Sequence, residues 1–220
     1  MANTRRFGYG SEVCAALSDG LSIDRFQTYL TKAGTEAAAL QLYAWNTAIA
    51  AAFHGPLQAC EVILRNAVHE TLSDAYGATW FDQAAPLQNA ERSLVHTAEG
   101  GILVRRNPMT PGRVIAELSF GFWVRLFSNR YDRSLWRTDL AKRFAPRPQR
   151  KDLHDQLDRL RTLRNRIAHH EPIFQRNLND DFNRVVDILM RLSPDTANWV
   201  HHHSRVYGLL KTLPSDVESF

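Results

Sequence analysis

The chain has 220 residues, 44% hydrophobic and 23% charged, with 27 Lys and Arg against 23 Asp and Glu, a formal net charge of +4. This composition excludes a disordered or collagen-like chain and is long enough to bury one substantial core. Two cysteines, Cys14 and Cys60, exclude a disulfide framework and a cysteine-rich zinc site.

Residues 1–20 read as an N-terminal extension, and Met1 to Val13 has no apolar run behind its two arginines, which predicts no secretory signal. Ser22 is placed to cap a helix over Ile23 to Lys32 that Gly34 closes, and Thr35 to cap an alanine-rich helix ending before Gly55. No charged residue lies between Glu36 and Glu61. Gln41, Asn46, Thr47, His54 and Gly55-Pro56 interrupt that run, so it predicts a buried helix pair in a soluble protein, not a membrane span. Pro56 opens the second helix of the pair, with Leu57, Cys60, Leu64, Val68 and Leu72 near one face before Gly77.

A turn at Trp80-Phe81 precedes a helix from Pro86 to about Ala98, and Gly100-Gly101 with Asn107-Pro108 mark a loop. Pro111 opens a helix through Arg130 whose Phe120, Phe122, Trp123 and Phe127 read as core. A shorter helix follows over Ser134 to Phe144, and Pro146-Arg147-Pro148 breaks the chain. Beyond it come a long helix through His169 and His170, one over Asp180 to Leu192, and one over Pro194 to Leu210. The prediction is an all-α bundle of about seven to nine helices, with one domain over residues 21–213 and a tail over 214–220.

Charge is unevenly spread. Of the cations, 23 are Arg and 4 are Lys, and residues 100–176 hold 17 basic and 7 acidic side chains, a net +10 between two acidic flanks. Such a block predicts a polyanionic partner, nucleic acid before membrane. Arg105, Arg106, Arg113, Arg147 and Arg150 lie in or near loops and are candidate phosphate contacts, as are Arg161 and Arg166 on the long helix. His201, His202 and His203 have no carboxylate or cysteine at ligand spacing, so no metal is expected.

On the long helix, Leu153, Leu157, Leu160, Leu163 and Ile167 form the apolar stripe, and Arg164 falls about 40° from its centre. The spacing predicts a partly covered guanidinium that needs an anion, either Glu61 or a substrate phosphate. Arg164, Asn165, His169 and His170 are the parts needed to cleave RNA without a metal: histidine moves protons to or from the 2′-hydroxyl and the leaving oxygen, and arginine stabilises the phosphorane. On an ideal helix Arg164 and His169 are about 140° apart. Their convergence requires either unwinding near Glu171-Pro172 or a second copy across a symmetric dimer.

The pattern Arg164-Asn165-x-x-x-His169 resembles the Rx4-6H signature of the HEPN superfamily, all-α domains that include many metal-independent RNases. LRNRIAHHEPIF (163–174), AELSFGFWVRLF (116–127), Tyr131 with Leu135-Trp136, and EVILRNAVHETL (61–72) resemble its Abi-like branch, named for abortive infection, over roughly residues 20–213. The resemblance implies a HEPN-type bundle with additional helices and a cytoplasmic endoribonuclease used as a toxin or in phage defence, without a cofactor. It also implies a homodimer with a shared basic cleft, with RNA as partner and an antitoxin as a possible regulator. Arg164 and His169 match the catalytic pair, Asn165 the polar residue that orients it, and His170 an adjacent or alternative catalytic histidine. Glu61, Arg65 and Asn66 match a supporting polar stripe. The rival expectation is a HEPN module that binds RNA or assembles without cleaving.

Overall fold

In the computed structural model, which describes residues 7–83 and 85–217, the apolar stretch that begins after Thr35 does not stop at Gly55-Pro56. Helices α1 (Ser11–Leu21) and α2 (Ile23–Ala33) lead into α3 (Glu36–Tyr76), a single 41-residue helix. At 1.5 Å per residue it is about 60 Å long. The predicted helix pair is therefore one element. Pro56 has no N–H to give to the Ala52 carbonyl, a loss of about 3 kcal/mol in a helix interior. Ala52, Phe53, Pro56, Leu57 and Cys60 are nevertheless all buried, and core packing on both sides of the proline keeps the helix continuous.

The predicted caps hold in part. Thr35 Oγ1 accepts from the Ala38 N–H at 3.3 Å, and Gly34 closes α2 in the left-handed region at φ 82°. Ser22 makes no side-chain cap; it sits at φ 69° in the link between α1 and α2. Helix α1 lies within the segment read as an extension and packs on α2 and α3.

Helix α4 (Asn89–Val104) runs through Gly100-Gly101, where a loop was expected, because Ile102 beyond the glycines is buried in the core. The helix expected from Pro111 to Arg130 divides into α5 (Pro111–Glu117) and α6 (Phe120–Arg125), with Ser119 accepting from the Phe122 N–H at 3.4 Å as the cap of the second. Phe120, Phe122, Trp123 and Phe127 are core, as expected. In place of a helix over 134–144 there are a π turn (Asp132–Trp136) and a 3-10 turn (Leu140–Arg143), each burying two apolar side chains. Helices α7 (Arg150–Ala168) and α8 (Leu178–Leu192) follow. The closing helix divides at Ser204 into α9 (Pro194–His203) and α10 (Val206–Leu210). Among the described residues there are ten α-helices and no strand, an all-α fold.

Helix α3 is the spine, touching α2, α6, α7, α8 and α10. The main core surrounds its middle and C-terminal half. A second, smaller cluster of Cys14, Phe26, Tyr29, Ala39 and Leu40 joins α1 and α2 to its N-terminal end. Phe174, just beyond the histidines that follow α7, packs on that cluster with its ring 5.2 Å from Tyr29. The α1–α2 hairpin and the end of α7 are thus held against each other.

Part of the arginine excess is structural. Glu91 is fully buried, accepts from the Tyr131 hydroxyl at 2.6 Å and faces Arg130 at 3.5 Å and Arg125 at 3.8 Å. Asp181, also buried, accepts from Arg176 at 2.8 Å and Arg184 at 3.2 Å.

His69, on α3, is structural as well. Its Nδ1 accepts from the indole N–H of fully buried Trp80 at 3.0 Å, and burial holds its pKa below the ordinary 6.5. A folded pKa below the unfolded one leaves stability intact above 6.5 and erodes it as pH falls from there, because the unfolded chain binds the proton first. Denaturant titrations at about pH 5 and about pH 7.5 are expected to show this acid-side loss, by at most about 1.4 kcal/mol per pH unit, and a smaller loss in His69→Gln, which keeps an acceptor for Trp80 without the titration.

Candidate active site

The end of α7 is built by backbone hydrogen bonds. The Glu171 N–H bonds the Arg166 carbonyl at 2.8 Å and the His170 N–H bonds the Ile167 carbonyl at 3.1 Å, the paired bonds of a Schellman motif. The residue such a motif places in the left-handed region is usually glycine; here it is His170, at φ 56°. The helix therefore ends cleanly at Ala168, with His169 as its C-cap, and does not unwind further back. The reversal is pinned from two other helices. Arg25 of α2 donates to the His170 carbonyl at 2.8 Å, and the buried Asn46 of α3 accepts through Oδ1 from both the Ile173 and Phe174 N–H groups, at 2.8 and 3.2 Å.

This arrangement closes one side of a cleft of about 1280 Å³ between α2, α3 and the end of α7. Arg25 and Tyr29 line it from α2; Asn46, His54, Gln58, Glu61 and Arg65 from α3; and Arg164, Ile167, His170 and Glu171 from the third side. The α7 and α3 groups on which the sequence reading converged, Arg164, Glu61 and Arg65, do share this cleft. His170 shares it too, whereas His169 is exposed and does not line it. One residue past the cap, the left-handed turn places His170 among the residues that line the cleft with Arg164.

Arg164 is less covered than its place near the apolar stripe predicts. Its side chain is 44% exposed, and its Nε is 3.7 Å from Glu61, a loose pair at a cleft wall that leaves the guanidinium edge open. The stripe is satisfied by Leu160 and Leu163, both fully buried, and Arg164 leans off its edge into the cleft. Arg65 has its Nε buried with no hydrogen-bond partner and no acidic partner among the described residues. Burial pushes the Tyr29 hydroxyl up to about 12, so it is a neutral wall group at physiological pH.

The other predicted residues lie elsewhere. Asn165 and Asn66 do not line the cleft; the Asn165 carbonyl bonds the His169 N–H at 2.9 Å. Arg105 pairs with Glu117 at 2.6 Å, and Arg106 follows at φ 54°. Arg161 pairs with Asp158 at 2.8 Å, and Arg166 faces Glu171 at 3.4 Å. Arg147 lies over the Trp136 ring at 5.8 Å, while Arg150 is tied to the Phe127 carbonyl at 2.8 Å and to Asp132 at 3.3 Å. Arg147 and Arg150 share a smaller recess of about 440 Å³ with Arg137 and Lys151. Two of the three arginines in the main cleft, Arg25 and Arg65, come from outside the basic block of the sequence.

Sequence reading missed Arg25, and it took Asn46 and His54 only as interruptions of an apolar run. A signal was present: Asn46, His54, Gln58, Glu61 and Arg65 recur at steps of eight, four, three and four, a polar stripe on one face of a helix. Assuming a break at Pro56 divided that stripe between two helices and hid it.

No curated protein and no solved structure matches the chain. A family model does, over residues 14–175, from α1 through the Ile173-Phe174 turn that Asn46 holds, and so includes every element of the cleft. Because that match spans most of its length, the chain belongs to the Abi-like protein family.

Proposed function

We propose that this Abi-like chain is a metal-independent endoribonuclease of the HEPN type, a cytoplasmic abortive-infection or toxin effector that cleaves RNA through its own 2′-hydroxyl. The observation that carries the proposal is the placing of His170, through its left-handed backbone, in the same cleft as Arg164. In this reading the scissile phosphate sits between Arg164 and Arg65. Arg164 exchanges its loose contact with Glu61 for the equatorial oxygens of the phosphorane, whose charge it is shaped to accept. His170 transfers a proton as the 2′-oxygen attacks phosphorus and the 5′-oxygen leaves. Arg25, already bonded to the His170 carbonyl, keeps the remaining guanidinium N–H groups for the RNA backbone. A homodimer, as in HEPN enzymes, would set two such clefts on one RNA-binding surface, and the exposed Arg105, Arg106 and Arg147 would extend its hold on phosphates.

The test is cleavage of a mixed RNA pool in excess EDTA, with the ends analysed. The expected products carry 2′,3′-cyclic phosphate and 5′-hydroxyl ends, and a 2′-deoxy substitution at the scissile nucleotide blocks cutting. A strict need for a divalent ion would overturn the mechanism. RNA binding without turnover on any RNA would instead identify a non-catalytic RNA-binding module.

A further inference from the structure

The proposed reaction moves two protons on opposite sides of phosphorus: one leaves the 2′-hydroxyl as the O2′–P bond forms, and one reaches the 5′-oxygen as the P–O5′ bond breaks. One imidazole cannot stand at both places at once, so the cleft must hold a second proton carrier. Its titratable side chains are few. Glu61 from α3 faces Arg164 at 3.7 Å, and Glu171 faces Arg166 at 3.4 Å. Both are carboxylates already paired with an arginine. Tyr29 from α2 is buried with its hydroxyl pushed up to about 12, and Arg25, Arg65 and Arg164 do not release protons in this range. Besides His170, the cleft is lined by one further imidazole among the described residues, that of His54 on α3, which is exposed and has no ion pair or side-chain hydrogen bond among the described residues.

Helix register agrees with the chemistry. Along the cleft α3 and α7 run in opposite directions: Arg164 faces Glu61, and nine residues later Ile173 meets Asn46. His54 lies between those two anchors on α3, about 10 Å of helix rise from Glu61 and about 12 Å from Asn46. His170 lies between the same two anchors on the opposite side. The two histidines therefore line the cleft between the same two anchors, His54 from α3 and His170 from beyond the end of α7.

We infer that His54 is a second catalytic residue, the partner of His170 in proton transfer, so that the proposed nuclease works with one histidine from the middle of α3 and one from the end of α7. One imidazole takes the 2′-hydroxyl proton while the imidazolium opposite gives its proton to the 5′-oxygen. The products are a 2′,3′-cyclic phosphate and a 5′-hydroxyl, and exchange with water restores both rings. Nothing is oxidised and no co-reactant is needed.

The inference rests on the nuclease reading, and the experiment separates the two. If the full-length parent chain yields no cyclic-phosphate ends, the nuclease reading fails; if it does, His54→Ala and His54→Gln test the inference alone. Both are expected to lower kcat by about 10²-fold or more with little change in KM, the size of a lost general acid or base. The bell-shaped dependence of kcat/KM on pH is expected to lose one limb, because one of its two ionisations has been removed. A substrate with sulfur in place of the scissile 5′-oxygen, whose thiolate departs without a proton, is expected to restore the rate in whichever of His54→Ala and His170→Ala lacks the general acid, and in only one of them. An unchanged kcat, a loss confined to KM, or a pH profile that keeps both limbs would overturn the inference. Unaltered far-UV circular dichroism and melting are expected, since His54 is exposed.

Discussion

Replacing His170 by alanine is expected to lower RNA cleavage by about 10²–10⁴-fold, and Arg164→Ala by a similar factor, while His169→Ala leaves the rate close to that of the parent chain. The two histidines are neighbours in sequence and differ in backbone. His169 is the C-cap of α7 at φ −95° and does not line the cleft, whereas His170 at φ 56° sits at the left-handed position and lines the cleft with Arg164; both are exposed. Single-turnover cleavage of one defined RNA by the three variants, with folding checked by thermal melting, decides the assignment. Arg164→Lys is a useful addition: lysine keeps the charge but not the planar fork that spans two phosphate oxygens, so it is expected to recover only part of the loss. A His169→Ala variant as inactive as Arg164→Ala would move the chemistry to the exposed side of the helix end, and with it to a partner subunit. His170→Gly is expected to relieve the left-handed backbone and to stabilise the chain slightly while removing activity, the pattern of a site where strain is kept for function.

How much of this was legible beforehand differs from element to element. The all-α class, the caps at Thr35 and Gly34, and the core role of Phe120, Phe122, Trp123 and Phe127 follow from local pattern and burial habit, and the structure agrees. The missed helix boundaries at glycine, proline and serine are of two kinds. At Pro56 and at Gly100-Gly101 strong breakers are overridden because the side chains beyond them are buried, which is a tertiary effect with no local signature. At Ser119 and Ser204 the reverse occurs: the periodic pattern continues, but a serine oxygen bonds a backbone N–H two or three residues ahead and starts a new helix. The site was half legible. Arg164 and the two histidines stand out by residue type, but which histidine lines the cleft depends on the backbone of one residue. Arg25 becomes visible only when a hairpin 145 residues away in sequence meets that turn.

Asn46→Ala is the substitution expected to damage both stability and activity, and for one reason. The Asn46 side chain is 6% exposed, and its single Oδ1 takes two backbone N–H groups, those of Ile173 and Phe174. Truncation to alanine leaves both without an acceptor, and a buried unsatisfied N–H costs about 1–3 kcal/mol. The expected loss is about 2 kcal/mol or more, which in a domain of this size lowers Tm by about 4–8 °C. The same two bonds fix the segment that carries His170, so cleavage is expected to fall well below what the remaining folded fraction accounts for, since a displacement of about 1 Å at a reacting group costs about 10²-fold. Measuring melting and single-turnover rate on the same preparation, at a temperature where the variant is fully folded, separates the two effects. Asn46→Asp supplies the complementary arm. It keeps an acceptor oxygen for each N–H and is expected to retain more activity than alanine despite placing a carboxylate in a buried site, because backbone N–H donors favour the ionised form. If Asn46→Ala melts early yet cleaves at the parent rate once folded, the turn does not depend on α3 for its aim, and Arg25 with the Schellman bonds alone must hold His170 in place.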